Sequence, residues 1–199
     1  MIRTFRQLLK ALGRGASLIL VFPAALVSGF GKLEAPFVAF AHACALVPGI
    51  LGDYLRVAYY KLTLDDCSLT SRVSFGSFFA HPHARIGSGV YIGCYCIIGM
   101  AAIGEGTQIA SGVQILSGAR QHVRDAGGEI SGADTGVFST VTVGAHCWIG
   151  AAAIIMADVG EASTVGAGSV VTRPVPSFSV AVGSPARVLG ATANRGRAT

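Results

Sequence analysis

The sequence predicts a mainly β protein, a three-sided parallel solenoid with an apolar helical segment ahead of it and one protruding loop. Three observations carry that prediction. From about Val73 the chain repeats every six residues, with an aliphatic residue usually followed by glycine. The fifth place of every repeat is small. Charged residues are only 13% of the chain, and its 27 glycines among 199 residues are about twice the usual share of roughly 7%.

The repeats are IGSGVY from Ile86, IGCYCI from Ile92, IGEGTQ from Ile103, IASGVQ from Ile109, VGAHCW from Val143, IGAAAI from Ile149, VGEAST from Val159 and VGAGSV from Val165. Their fifth residues are Val90, Cys96, Thr107, Val113, Cys147, Ala153, Ser163 and Ser169. A helix would place apolar residues at 3.6 spacing and an ordinary half-buried strand would alternate strictly. Neither produces a joint rule at places one and five. Three hexapeptides instead make one coil of three short strands, and stacked coils bury their aliphatic residues in a shared lumen. Glycine permits the positive φ that tight corners need.

Two corners are trimmed, since Ile98 to Ile103 is five residues and Ile155 to Val159 only four. Residues 117–139 carry no repeat and are expected to be an excursion from the coil. His122 is its only histidine. The segments VGAGSVVTRPVP and AVGSPARVL follow in the last coils.

The pattern over about Val73 to Leu189 resembles the hexapeptide-repeat acyltransferases, the left-handed parallel β-helix family that includes maltose, galactoside and exopolysaccharide O-acetyltransferases. The resemblance implies the left-handed fold, a homotrimer with sites between subunits, acetyl-CoA or another acyl-CoA as co-substrate with no tightly bound cofactor, and a sugar acceptor. It implies His122 as general base, for which a neutral imidazole is chemically suited because a hydroxyl must lose its proton as it attacks the thioester. Trp148, in HCWIG, matches the family's NVWIG and would border the CoA arm. Ala151, Ala167, Thr172, Arg173 and Arg187 would line the CoA path, with arginine suited to phosphate. Ser117, Arg120 and Gln121 are the acceptor-binding candidates. The family's usual asparagine is missing before the loop, where Cys94, Tyr95 and Met100 stand, so the acceptor is expected to differ from free maltose or galactoside and a lipid-linked sugar is left open.

The other histidines read differently. His146 should point outward from place four, His81 and His83 flank Pro82 at the entry to the repeats, and His42 lies in an apolar segment. Cys96 and Cys147 occupy the small inward place and read as filling. Five cysteines without a framework spacing argue for a reducing compartment, and neither a CxxC pair nor a metal set is evident.

Residues 1–64 are expected to form an apolar, helical, membrane-associated segment and connector, 65–190 the solenoid, and 191–199 a basic tail. The stretches 16–30 and 35–51 are each short of the roughly 20 apolar residues that cross a bilayer. With Arg3, Arg6, Lys10 and Arg14 ahead of them they read as a hairpin in the cytoplasmic leaflet, placing the chain at the inner face of the membrane through residues 1–51. The alternative is a helical pair packed on the protein itself. A signal peptide fits poorly because VSGFGKLEA lacks a small-x-small ending. Residues 52–64 read as an amphipathic connector with Arg56 and Lys61 near the interface. The charge of +5 is concentrated at the ends without interleaved aromatics, so nucleic acid is not expected as a partner. Two rival functions remain open, a γ-type carbonic anhydrase and a non-catalytic scaffold. A nucleotide-binding domain would need more residues than the first seventy supply, and no P-loop or GxGxxG follows a strand.

Overall fold

The computed structural model describes residues 2–118, 127–130 and 138–192. Three helices come first, α1 (Ile2–Val27), α2 (Glu34–Ala45) and α3 (Gly49–Thr63). The solenoid follows. Its first coil is β1 (Asp66–Cys67), β2 (Arg72–Val73) and β3 (Phe78–Phe79), and its second is β4 (Arg85–Ile86), β5 (Tyr91–Ile92) and β6 (Ile97–Ile98). The third is β7 (Ala101–Ile103), β8 (Gln108–Ile109) and β9 (Gln114–Ile115), and the fourth is β10 (Val141–Val143), β11 (Trp148–Ile149) and β12 (Ile154–Ile155). The fifth coil has a bridge at Val159, then β13 (Thr164–Val165) and β14 (Val170–Val171). A last partial turn through Val175 ends in β15 (Ser179–Val182), against which β16 (Arg187–Ala191) runs antiparallel.

Parallel pairing in register turns the repeat into three stacked columns. Cys67, Ile86, Ile103, Val143, Val159 and Val175 align on one face. Val73, Ile92, Ile109, Ile149, Val165 and Ala181 align on the second, and Phe79, Ile98, Ile115, Ile155 and Val171 on the third. All are buried, as are all eight residues at place five. The sequence rule is therefore the lumen itself.

The glycine at place two answers a different demand from the positive-φ glycine expected at corners. A Cβ at Gly104 would lie 2.4 Å from the backbone nitrogen of Ala145, and one at Gly144 equally close to that of Glu161. The next coil's backbone passes directly over these positions, so close approach selects glycine there. Positive φ belongs to place four, at Gly106 (67°) and, without glycine, at His146 (56°). Place five also does more than fit. Thr107 Oγ1 donates to Gly144 O at 2.7 Å and accepts Cys147 N–H at 3.0 Å, so one hydroxyl joins coils three and four. Ser77 and Ser163 bridge their neighbours in the same way.

The helices close the open end of the first coil, whose lumen residues Cys67, Val73 and Phe79 carry no following glycine. Phe37, Tyr59, Tyr60 and Phe79 are fully buried together, with Tyr60 and Phe79 rings 4.9 Å apart. Tyr59 Oη donates to Phe37 O, and Tyr60 Oη accepts the Phe79 N–H. Arg56, expected near the interface, is instead fully buried. Its guanidinium donates to Cys44 O, Ala45 O and Val47 O at the end of α2, to Val73 O in the first coil, and to Asp53 Oδ1. The last carbonyls of a helix lack partners within it, and a five-donor fork meets that demand. Gly52 makes room, since a Cβ there would fall 1.8 Å from Val47 O.

The basic start and first apolar stretch form one continuous helix that runs through Pro23. Residues Gln7–Val27 are long and apolar enough to cross a membrane by length and composition, which the stretch 16–30 alone is not. One side of α1 packs on the protein through Ser17, Val21 and Ala25. The other leaves Leu8, Leu9, Leu12, Ile19, Leu20, Phe22 and Leu26 about half exposed or more.

Candidate functional site

The unrepeated segment leaves the solenoid at the corner after β9 and rejoins it before β10, between coils three and four. Its neck is tightly tied. Ser139 N–H donates to Ser117 O at 3.0 Å, and Val141 N–H to Met100 O at the same distance. Gly118 has φ 87°, and a Cβ there would fall 2.2 Å from Ser139 Oγ. Thr142 N–H donates to Asp158 Oδ1 one coil further on. Residues 117–118 and 139 thus lie side by side at one edge of the prism.

His122, Arg120 and Gln121 lie outside the described residues. Ser117 is described, and it is buried, with its hydroxyl accepting the Met100 N–H at 2.9 Å. Its place is that of a corner lock beneath the excursion rather than a group offered to an acceptor. Met100 lies at this neck, but Cys94 and Tyr95 do not. They turn the preceding corner, where the Tyr95 ring covers Gly76.

The remaining candidates divide between two edges of one face. Ala151 and Ala167 are exposed one above the other at the corner entering the third face, tied by the hydrogen bond from Gly168 N–H to Ala151 O. Trp148, on β11 just ahead of them, faces outward at 60% exposure. Thr172 and Arg173 are exposed at the opposite edge, the one from which the excursion leaves two coils earlier. Arg187 is exposed on β16 at the end of the solenoid. A single chain therefore gathers Trp148, Ala151 and Ala167, and separately Thr172, Arg173 and the neck.

Two partners of the neck carry no sequence signal. The Phe138 ring lies 5.3 Å from that of His81, and His81 Nδ1 contacts Glu34 Oε1 at 2.5 Å. Residues 34, 81 and 138 belong to a helix, an entry turn and a returning loop, so no periodicity relates them. His146 points outward, its Nε2 3.8 Å from Glu105, and exposed His42 stands edge-on to Phe78. Burial raises the thiol pKa values of Cys96 and Cys147, so both are protonated fillers at neutral pH. Among the described residues, no three His, Cys, Asp or Glu side chains are grouped to hold a metal.

No family model matches the chain. It is 35% identical over 143 residues to a serine acetyltransferase of Buchnera aphidicola subsp. Schizaphis graminum, covering 70% of this chain and 50% of that protein. It is 34% identical over 138 residues to the bifunctional protein GlmU of Prochlorococcus marinus, covering 66% of this chain and 30% of the relative. The chain thus spans half or less of these relatives' own length. Among solved structures, galactoside acetyltransferase in complex with coenzyme A superposes with a TM-score of 0.67 at 22% identity, over 84% of each chain, and so shares the fold. The homologues of this chain are hexapeptide-repeat proteins.

Proposed function

We propose that this chain is an acyl-CoA-dependent O-acyltransferase that transfers an acetyl group to a sugar hydroxyl, with His122 as general base. The observation that carries the reading is the placement of the unrepeated segment. One histidine-bearing excursion leaves a solenoid homologous to serine acetyltransferases at a single tied neck. The galactoside acetyltransferase neighbour supports both a sugar acceptor and coenzyme A as the acyl carrier.

In this mechanism the His122 imidazole takes the acceptor hydroxyl proton as the oxygen attacks the thioester carbonyl. The tetrahedral adduct then collapses, the carbon–sulfur bond breaks, and the imidazolium returns the proton to the departing CoA thiolate. Trp148, Ala151 and Ala167 form an outward wall with little side-chain bulk beyond the indole, suited to a narrow pantetheine arm. Arg173 and Arg187 are exposed cations suited to CoA phosphates. Because the two groups lie on opposite edges of one face, we extend the proposal to a homotrimer, in which one subunit's wall meets its neighbour's excursion edge. Exposed Tyr95 and Ile97 on that side would be covered by such packing. The exposed apolar side of α1 supports attachment at the inner face of the cytoplasmic membrane and polysaccharide or lipid-linked oligosaccharide synthesis as the setting.

Replacing His122 by alanine should lower transfer from radiolabelled acetyl-CoA to a sugar acceptor by about 10² to 10⁴-fold. Light scattering should still report the parent's mass. Turnover at the parent rate would overturn the assignment. One observation favours a second imidazole as base: His81 is held by Glu34 beside the neck residue Phe138. Loss of transfer in His81→Gln with His122 intact would move the role there.

A further inference from the structure

Between α1, α3 and the first corner of the solenoid lies a cavity of about 370 Å³ that acyl transfer does not use. Lys10 and Arg14 reach it from α1, Asp53 and Tyr54 from α3, and Arg72 from β2. Three cations face one carboxylate, and both oxygens of that carboxylate are occupied. Asp53 Oδ1 accepts from buried Arg56 and Oδ2 from Arg72 Nε, each at 2.7 Å. Among the described residues, Lys10 and Arg14 have no acidic partner, and Arg72 uses only its Nε in an ion pair. Unneutralised positive charge therefore collects in a concave site.

Part of the wall is apolar. Ile50, 73% exposed, lines the cavity together with Leu69 and buried Val57. α1 lies close on α3 here, the Tyr54 ring standing 3.5 Å from where a Cβ of Gly13 would be. A ligand suited to this arrangement has a compact anion at one end and hydrocarbon at the other.

We propose that the cavity binds the phosphate headgroup of an anionic phospholipid, with Lys10, Arg14 and Arg72 on the phosphate and the acyl chains leaving past Ile50 and Leu69. Guanidinium and ammonium donors suit phosphate oxygens, and Ile50 and Leu69 offer hydrocarbon contact beside them. The site is at the helix-capped end of the solenoid and does not depend on the acyl-transfer reading.

The test is calorimetric titration of the full chain with monomeric dihexanoyl phosphatidylglycerol, below the concentration at which it forms micelles. Saturable binding of one lipid per chain is expected, with an affinity at least about tenfold weaker in the pair Lys10→Gln and Arg14→Gln. The pair Lys32→Gln and Arg85→Gln, which removes the same charge elsewhere, should bind as the parent does. Equal weakening in both pairs would overturn the proposal in favour of diffuse attraction. Binding of dihexanoyl phosphatidylcholine with parent affinity would overturn the role of charge, and inorganic phosphate competing at equal concentration would overturn the lipid. Unchanged melting temperatures in both pairs would tie the result to binding rather than folding.

Discussion

Arg56→Met tests how the helices are held to the solenoid. The parent side chain is fully buried and makes contacts at 2.7 Å to Val73 O and Asp53 Oδ1, 2.8 Å to Val47 O, 3.0 Å to Cys44 O and 3.4 Å to Ala45 O. Methionine fills much of the volume but supplies no donor. Breaking one side of a buried ion pair costs about 3–5 kcal/mol. Four carbonyls also lose a charged donor, at about 1–3 kcal/mol for each one left dry. Cys44 and Val47 lie at a partly buried helix end where water recovers some of that, so the expected loss stays at about 4 kcal/mol rather than rising to the sum.

The loss should be local, because a solenoid's stability is approximately a sum over neighbouring coils. Urea unfolding followed by helical circular dichroism should show the helices melting early. Hydrogen exchange should accelerate over residues 34–64 while amides of coils four and five keep their protection. Asp53→Asn combined with Arg56→Met should cost less than the two separate losses added, since both delete one interaction. A loss below about 1 kcal/mol for Arg56→Met, or uniform loss of protection across all coils, would refute the reasoning.

Two further outcomes follow from the lumen. Thr107→Val keeps the shape but removes the hydroxyl between Gly144 O and Cys147 N–H, so it should destabilise by about 1–3 kcal/mol in urea unfolding, whereas Thr107→Ser should lose much less. Burial pushes the Cys67 thiol from 9.0 up to about 12. An acid with a raised folded pKa remains protonated in the native state after the unfolded chain has ionised. Its contribution is therefore complete below pH 9 and falls as pH rises from 9 towards 12. Melting temperature measured over that window should fall less for Cys67→Ala than for the parent, after each is referred to its own value at pH 8.

The fold was legible where a repeated demand acts on every coil. Places one and five face the lumen in each turn, so eight repeats report the same constraint. The first coil lies within the solenoid expected from residue 65 but shows the rule less fully, since Cys67, Val73 and Phe79 carry no following glycine and its outer end meets helices rather than another coil. Corner glycines such as Gly106 do have positive φ, but the cause of the glycine at place two was not legible, because coil-on-coil clearance at Gly104 and Gly144 depends on stacking distance, which one strand of sequence does not contain. Arg56 failed for a related reason. A charged residue on an amphipathic helix ordinarily marks the solvent side, and only the three-dimensional end of α2 creates carbonyls that draw it inward.

The candidate site was legible in position more than in composition. Loss of the repeat after Ser117 marks where the chain leaves the prism, and that edge is set by counting strands. What stands beside the edge is set by contacts among residues far apart in sequence, as Glu34, His81 and Phe138 show. The same geometry explains why Trp148 and Arg173 are both exposed yet do not meet. The third face separates their edges, so any site using both needs a second prism laid against the first. That makes oligomeric state a direct test of the division of labour: a monomer active at concentrations far below any association would place the whole reaction on one edge, and Trp148, Ala151 and Ala167 would drop out of it.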